Sequence, residues 1–135
     1  MWQPNRGPRN LSGALAFAAG VVVALACGNP SGSGNGCAGT GAHSVVSAQD
    51  NQTFSPNLLT ITAGESVCWQ NNGSLVHTVT ANGVMGGTDS SWVLDSVNAQ
   101  LNHGSLYLRT FSRANFNYFY KCMFHANMTG QIQVR

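Results

Sequence analysis

The chain has 135 residues, only 7% of them charged, and a formal net charge of +2. Two basic residues, Arg6 and Arg9, lie in the first ten positions, and the other four (Arg109, Arg113, Lys121, Arg135) are balanced by Asp50, Glu65, Asp89 and Asp95. A length suited to one domain and a near-neutral body without a basic stripe exclude a nucleic-acid-binding role and strong electrostatic steering of partners.

Residues 1–26 read as an export signal. A basic start carrying Arg6 and Arg9 precedes an uncharged, mostly apolar run over residues 11–26, short for a membrane span and ending in small residues. Ala24-Leu25-Ala26 fits a signal-peptidase site and stands directly before Cys27. Two readings of Cys27 follow: a bacterial lipoprotein, acylated at that thiol, or an ordinary exported protein in which Cys27 is free. Residues 27–41, rich in Gly and Ser, read as a flexible linker that would hold a folded domain off a membrane surface. These features predict a bacterial periplasmic or cell-envelope location.

Residues 42–135 form the expected folded unit, with no internal repeat. Strands are predicted over residues 43–48, 58–62, 66–70, 77–81, 106–111, 116–122 and 131–135, separated by turn signals at residues 51–56, at Asn71-Asn72-Gly73, at Asn82-Gly83 and at Gly86-Gly87. Alternation places Phe116, Tyr118, Tyr120 and Cys122 on one face, and Ile132 and Val134 inward. Residues 91–102 are ambiguous, with room for a strand and a short helical turn. Many short strands between turns predict an all-β sandwich.

The densest chemistry lies in Cys122-Met123-Phe124-His125-Ala126-Asn127-Met128, where a thiol, an imidazole and a thioether share seven positions. A buried cysteine alone is usually packing, but soft thiolate and thioether donors beside imidazole suit copper. His77, heading a predicted strand, is placed to complete a His2Cys set with Met128 as a weak axial donor. With Cys122 so engaged, three cysteines remain, and an oxidising compartment disfavours a leftover thiol. If Cys27 is acylated, Cys37 and Cys68 are left to pair. Cys68 points away from the face of Val67 and Trp69, where an N-terminal segment can reach it; the alternative is Cys68 as a small half-buried hydrophobe.

These residues resemble the cupredoxin (blue copper) family, nearest to plastocyanin, amicyanin and pseudoazurin. The likeness rests on Phe54-x-Pro56, Thr62-x-Gly64-x-x-Val67-x-Trp69-x-Asn71-Asn72, His77-Thr78-Val79, Gly104, Thr110-Phe111 and Tyr118-x-Tyr120-x-Cys122-x-x-His125-x-x-Met128-x-Gly130-x-Ile132-x-Val134. It implies an eight-stranded Greek-key β-sandwich with one copper ion near one end, held by His77, Cys122, His125 and Met128. The two-residue gap between His125 and Met128 is similar to the short amicyanin loop. Two departures stand out: Thr78 replaces the asparagine of plastocyanin, and the ligand loop lacks proline.

The function so implied is a non-enzymatic, monomeric one-electron carrier between redox partner proteins, with His125 as electron port and Met123, Phe124, Val84 and Met85 as an apolar docking rim. The alternative is a periplasmic copper carrier or buffer without an electron-transfer role. A zinc site is disfavoured because methionine is a poor zinc ligand. His43 and His103 lack ligand-like spacing and are expected to be surface or structural. Asp89, Asp95, Ser90 and Ser91 show no catalytic context. Asn127-Met128-Thr129 is formally a glycosylation sequon; a glycan there would crowd the copper, which favours a bacterial envelope.

Overall fold

The computed structural model describes residues 36–94 and 97–135. The expected export signal (residues 1–26), Cys27 and the linker up to residue 35 lie outside the described residues.

Among the described residues, nine strands build two sheets: β1 (Ser44–Gln49), β2 (Thr53–Ser55), β3 (Leu58–Ile61), β4 (Ser66–Asn71), β5 (His77–Met85), β6 (Asn98–Leu101), β7 (Leu106–Thr110), β8 (Phe116–Lys121) and β9 (Thr129–Val134). One sheet has the order β2-β1-β4-β7 and the other β3-β9-β8-β5-β6. The β1/β4 and β3/β9 pairs are parallel and the rest antiparallel, in a Greek-key-like arrangement. The apolar residues of alternating strands meet between the sheets, as the period of two requires. Val67 and Trp69 of β4, Tyr118 and Tyr120 of β8 and Ile132 of β9 are all buried. Trp69 and Tyr120 meet edge to face, with ring centroids 5.4 Å apart, one of several aromatic contacts that set the layer spacing.

Several details differ from the sequence expectations. The turn signal at residues 51–56 contains a three-residue strand, β2, which pairs with β1. The expected break at Asn82-Gly83 is instead a β-bulge inside a nine-residue β5, where the register shifts between Ala81 and Val84. Gly83 adopts φ +112° there, a conformation that side chains resist. In the ambiguous region, Asn98–Leu101 becomes the edge strand β6, paired with the start of β5. Trp92, just before it, is fully buried and donates its indole N–H to the Phe119 carbonyl at 3.0 Å.

Cys37 and Cys68 form a disulfide. The parity argument holds: Cys68 faces away from the core shared by Val67 and Trp69. It is nevertheless fully buried, because the 3-10 turn Cys37–Gly39 covers it. The Cys37 N–H donates to Gln70 Oε1 at 3.2 Å, so the end of the expected linker is fastened to the outer face of the four-stranded sheet.

Candidate metal centre

One end of the sandwich gathers the ends of four strands. β4 ends at Asn71, β5 starts at His77, β8 ends just before Cys122 and β9 starts just after Met128. The β8–β9 hairpin therefore carries Cys122, His125 and Met128 in one loop, and the β4–β5 connection delivers His77 from the neighbouring strand.

The three strong donors converge. Cys122 Sγ lies 3.4 Å from His125 Nδ1 and 4.0 Å from His77 Nδ1. The ligand atoms all fall within 4.8 Å of one another, which makes this a group able to hold a metal ion. The two imidazole rings are tilted by 51° with centroids 4.9 Å apart. His77 and Cys122 are buried, while His125 keeps part of its surface. Burial pushes the His77 pKa below the ordinary imidazole range and the neighbouring His125 adds to this, against an opposing pull from Asp50. A neutral imidazole is the form that donates a lone pair to a metal.

Backbone hydrogen bonds shape the loop. The Cys122 N–H donates to the Met128 carbonyl at 2.9 Å and the Met128 N–H donates to the His125 carbonyl at 3.1 Å. The Met128 side chain is 1% exposed and belongs to the core, with Cys122. Thr78 N–H donates to Cys122 Sγ at 3.3 Å, and Thr78 Oγ1 accepts from Met123 N–H at 2.8 Å. The threonine thus supplies a hydroxyl contact to the residue that follows the cysteine. The N–H contact to the sulfur also fixes where the cysteine side chain points.

The His77 side is held by two residues from elsewhere. Buried Asn71 donates its amide to the Leu75 and Leu101 carbonyls at 2.7 and 2.8 Å and accepts from Gly73 N–H. Asp50, in the β1–β2 turn, accepts from Ser74 N–H, Ser74 Oγ and Leu75 N–H at 2.8 to 3.0 Å. The backbone donors of Leu75 and Ser74 lower the Asp50 pKa. Asp50 was invisible as a site residue in the sequence, because it lies 24 positions from the loop it caps.

Two of the expected docking residues do not belong here. Val84 and Met85 sit at the opposite end of β5 from His77, paired with Tyr118 and Asn117 near the start of β8. The bulge carries β5 past the predicted stop, and a strand advances about 3.3 Å per residue. The exposed apolar residues at the metal end are instead Met123 and Phe124 on the ligand loop, with Leu75 and Val76 just before His77. His43 and His103 stand outside the cluster: His43 Nδ1 accepts from Ser66 N–H, and His103 Nδ1 lies 2.9 Å from the Gly73 carbonyl. Asp89 is a structural carboxylate, bonded by Tyr118 Oη and Ser91.

Residues 42–135 match the family described as copper binding proteins, plastocyanin/azurin family. Among curated proteins no sequence matches. Among solved structures, a purple cupredoxin from Nitrosopumilus maritimus is 24% identical, with a TM-score of 0.55, over 68% of this chain and 99% of that one. A reduced amicyanin mutant is 25% identical, also at 0.55, over 71% of this chain and 84% of amicyanin. A copper-containing nitrite reductase from Thermus scotoductus SA-01 is 27% identical at 0.56, over 67% of this chain but only 22% of the reductase.

Proposed function

The chain belongs to the plastocyanin/azurin family of copper-binding proteins, and from that membership we propose a non-enzymatic, mononuclear type 1 copper protein that carries single electrons between partner proteins. The observation that carries this reading is the convergence of His77 Nδ1, Cys122 Sγ and His125 Nδ1 at a buried strand end. The donor set fits the metal: two imidazoles and a thiolate beside a buried thioether suit copper, whereas zinc favours four strong ligands. Met128, buried beside Cys122, would hold the metal as a fourth, weaker donor. The amicyanin structures, in oxidised and in reduced Cu(I) forms, accord with a one-electron centre.

A bound copper supplies one-electron exchange between Cu(I) and Cu(II). The chain's own residues do the rest. His77, enclosed and neutral, holds its lone pair ready without taking up a proton. Thr78 N–H stabilises charge on the Cys122 sulfur. Asn71, Asp50 and the Cys122–Met128 backbone bonds keep the donors in place, which limits rearrangement when the electron arrives. His125, partly exposed beside Met123 and Phe124, serves as the port. An apolar, nearly uncharged rim suits brief contact with redox partners through a small interface.

The monomeric state, an exported envelope location and a lipid anchor on Cys27 complete the proposal. Support for the last two is the composition of residues 1–41, the Cys37–Cys68 disulfide, which suits an oxidising compartment, and the odd cysteine that this pairing leaves.

The test is the visible and EPR spectrum of the full-length Cu(II)-loaded protein beside Cys122→Ser. An intense blue to purple thiolate band with small copper hyperfine splitting, lost in the variant, is expected. An ordinary Cu(II) spectrum insensitive to the substitution sinks the assignment. A thiolate band without reversible Cu(II)/Cu(I) cycling leaves a copper carrier or buffer.

A further inference from the structure

Thr78 and Thr80 alternate with the core positions of β5, yet both are buried, at 3% and 0% exposure. A threonine hydroxyl has one proton to give and two lone pairs to offer. The two hydroxyl oxygens lie 2.9 Å apart, and the pair by itself has no direction. Its two ends supply one. Met123 N–H, next to Cys122, donates to Thr78 Oγ1 at 2.8 Å, and a backbone N–H can only donate. Thr80 Oγ1 donates to Asn98 Oδ1 at 2.9 Å, and a carbonyl oxygen can only accept. Thr80 has given its proton to Asn98, so the proton between the hydroxyls belongs to Thr78. The bonds therefore run one way, from Met123 through Thr78 and Thr80 to Asn98, and each polarises the next.

We propose that Thr80 and Asn98 are positioning residues for the metal loop, acting through this one-way chain on Met123 and thus on the thiol of Cys122. Thr78 links the chain to the sulfur twice, since its own N–H also donates to Cys122 Sγ. Asn98 is exposed on the edge strand β6 and directly opposite Thr80 in the β5/β6 register. An edge residue with no ligand-like chemistry thereby sets the geometry of the metal site from the far end of three hydrogen bonds.

The test uses the full-length protein with Asn98→Ala, Thr80→Val and Asn98→Asp. Hydrogen exchange is followed at the Met123 amide in the metal-free protein, with the Tyr120 amide in the β8–β9 ladder as internal reference. Met123 exchange is expected to accelerate about three- to tenfold in Asn98→Ala and Thr80→Val, the range of one neutral hydrogen bond. Tyr120 stays at its original rate. Asn98→Asp, which keeps an acceptor and loses the donor, retains the original Met123 rate. With copper bound, a readout that rests on the proposed function, Asn98→Ala and Thr80→Val shift the reduction potential in the same direction, though neither changes charge. Unchanged Met123 exchange overturns the proposal. So does acceleration of Met123 and Tyr120 together, which marks general loosening, or an Asn98→Asp that behaves like Asn98→Ala. A potential that stays put while exchange accelerates overturns the reach of the chain to the metal centre. Failure to form a blue site refutes the copper reading and leaves the exchange result standing.

Discussion

At the residue scale, the site divides into donors that share one loop and supports that come from elsewhere. Cys122, His125 and Met128 were legible because their spacing alone puts three soft or borderline donors on one connection. His77 was legible from its place at the head of a strand. Asp50 and the Thr78–Thr80–Asn98 chain were not, since nothing in their spacing says that those segments meet. Asp50 is a sharp test of this division. Its carboxylate caps the turn that leads into His77 through Ser74 and Leu75. Asp50→Ala is expected to weaken copper binding about tenfold while the fold persists, as loss of supporting contacts around a metal does. Competition against a chelator of known affinity measures it, and an unchanged affinity removes Asp50 from the site.

At the element scale, the β8–β9 hairpin is the part that makes the site possible. Tyr120 opposes Gly130 in its register, and a Cβ at position 130 would run into the Tyr120 ring. Gly130→Ala should therefore destabilise the protein by about 1–3 kcal/mol in denaturant titrations, the range for overpacking a filled core. An unchanged midpoint would show that the ring moves aside freely. The disulfide acts on the other sheet, where it ties Cys37 to Cys68 across a separation of 31 residues. Removing it with Cys37→Ser and Cys68→Ser together should cost about 2–4 kcal/mol, chiefly by freeing the unfolded chain. The blue spectrum should survive, because Cys68 lies on the face of β4 turned away from the core that holds Cys122. The bulge in β5 shows where element reasoning fails. Asn82-Gly83 carries the composition of a turn, but β8 continues alongside, and pairing with it overrides the local signal.

At the scale of the whole molecule, low charge and a dense aromatic interior decide the response to solvent. With four basic and four acidic residues beyond the first ten positions, electron exchange with partners should depend only modestly on ionic strength; a steep decline of stopped-flow rates with salt would contradict the apolar docking rim. The tyrosines respond to alkali. Burial, reinforced by the hydrogen bond to Asp89 and its charge, pushes Tyr118 up to about 12. Burial raises Tyr120 to about 12 as well, against a smaller opposing contact with Trp69. Between the ordinary phenol range near 10 and these raised values, the folded chain keeps protons that the unfolded chain gives up. The resulting stability is fully present below pH 10 and is lost as pH rises toward 12. Two of the three tyrosines should stay un-ionised until about pH 12, in step with a falling denaturation midpoint. Phenolate absorbance against pH measures the first, and titration of either residue near 10 would show that its ring is not enclosed.

The sequence by itself determined the fold class and placed Cys122, His125 and Met128 on one connection. Strand alternation follows from a backbone period of two, and the ligand loop keeps its donors within seven residues whatever surrounds them. It also determined the face of β4 on which Cys68 lies, by parity alone. Only the tertiary structure decided which surface surrounds the port, because that depends on where strands end rather than on what they contain: Val84 and Met85 travel to the far pole along β5, and Leu75 and Val76 take their place. The same holds for the supports. A hydrogen bond from Ser74 to Asp50, or from Thr80 to Asn98, joins segments far apart in the chain, and such pairings exist only once the two sheets have set the register that brings them together.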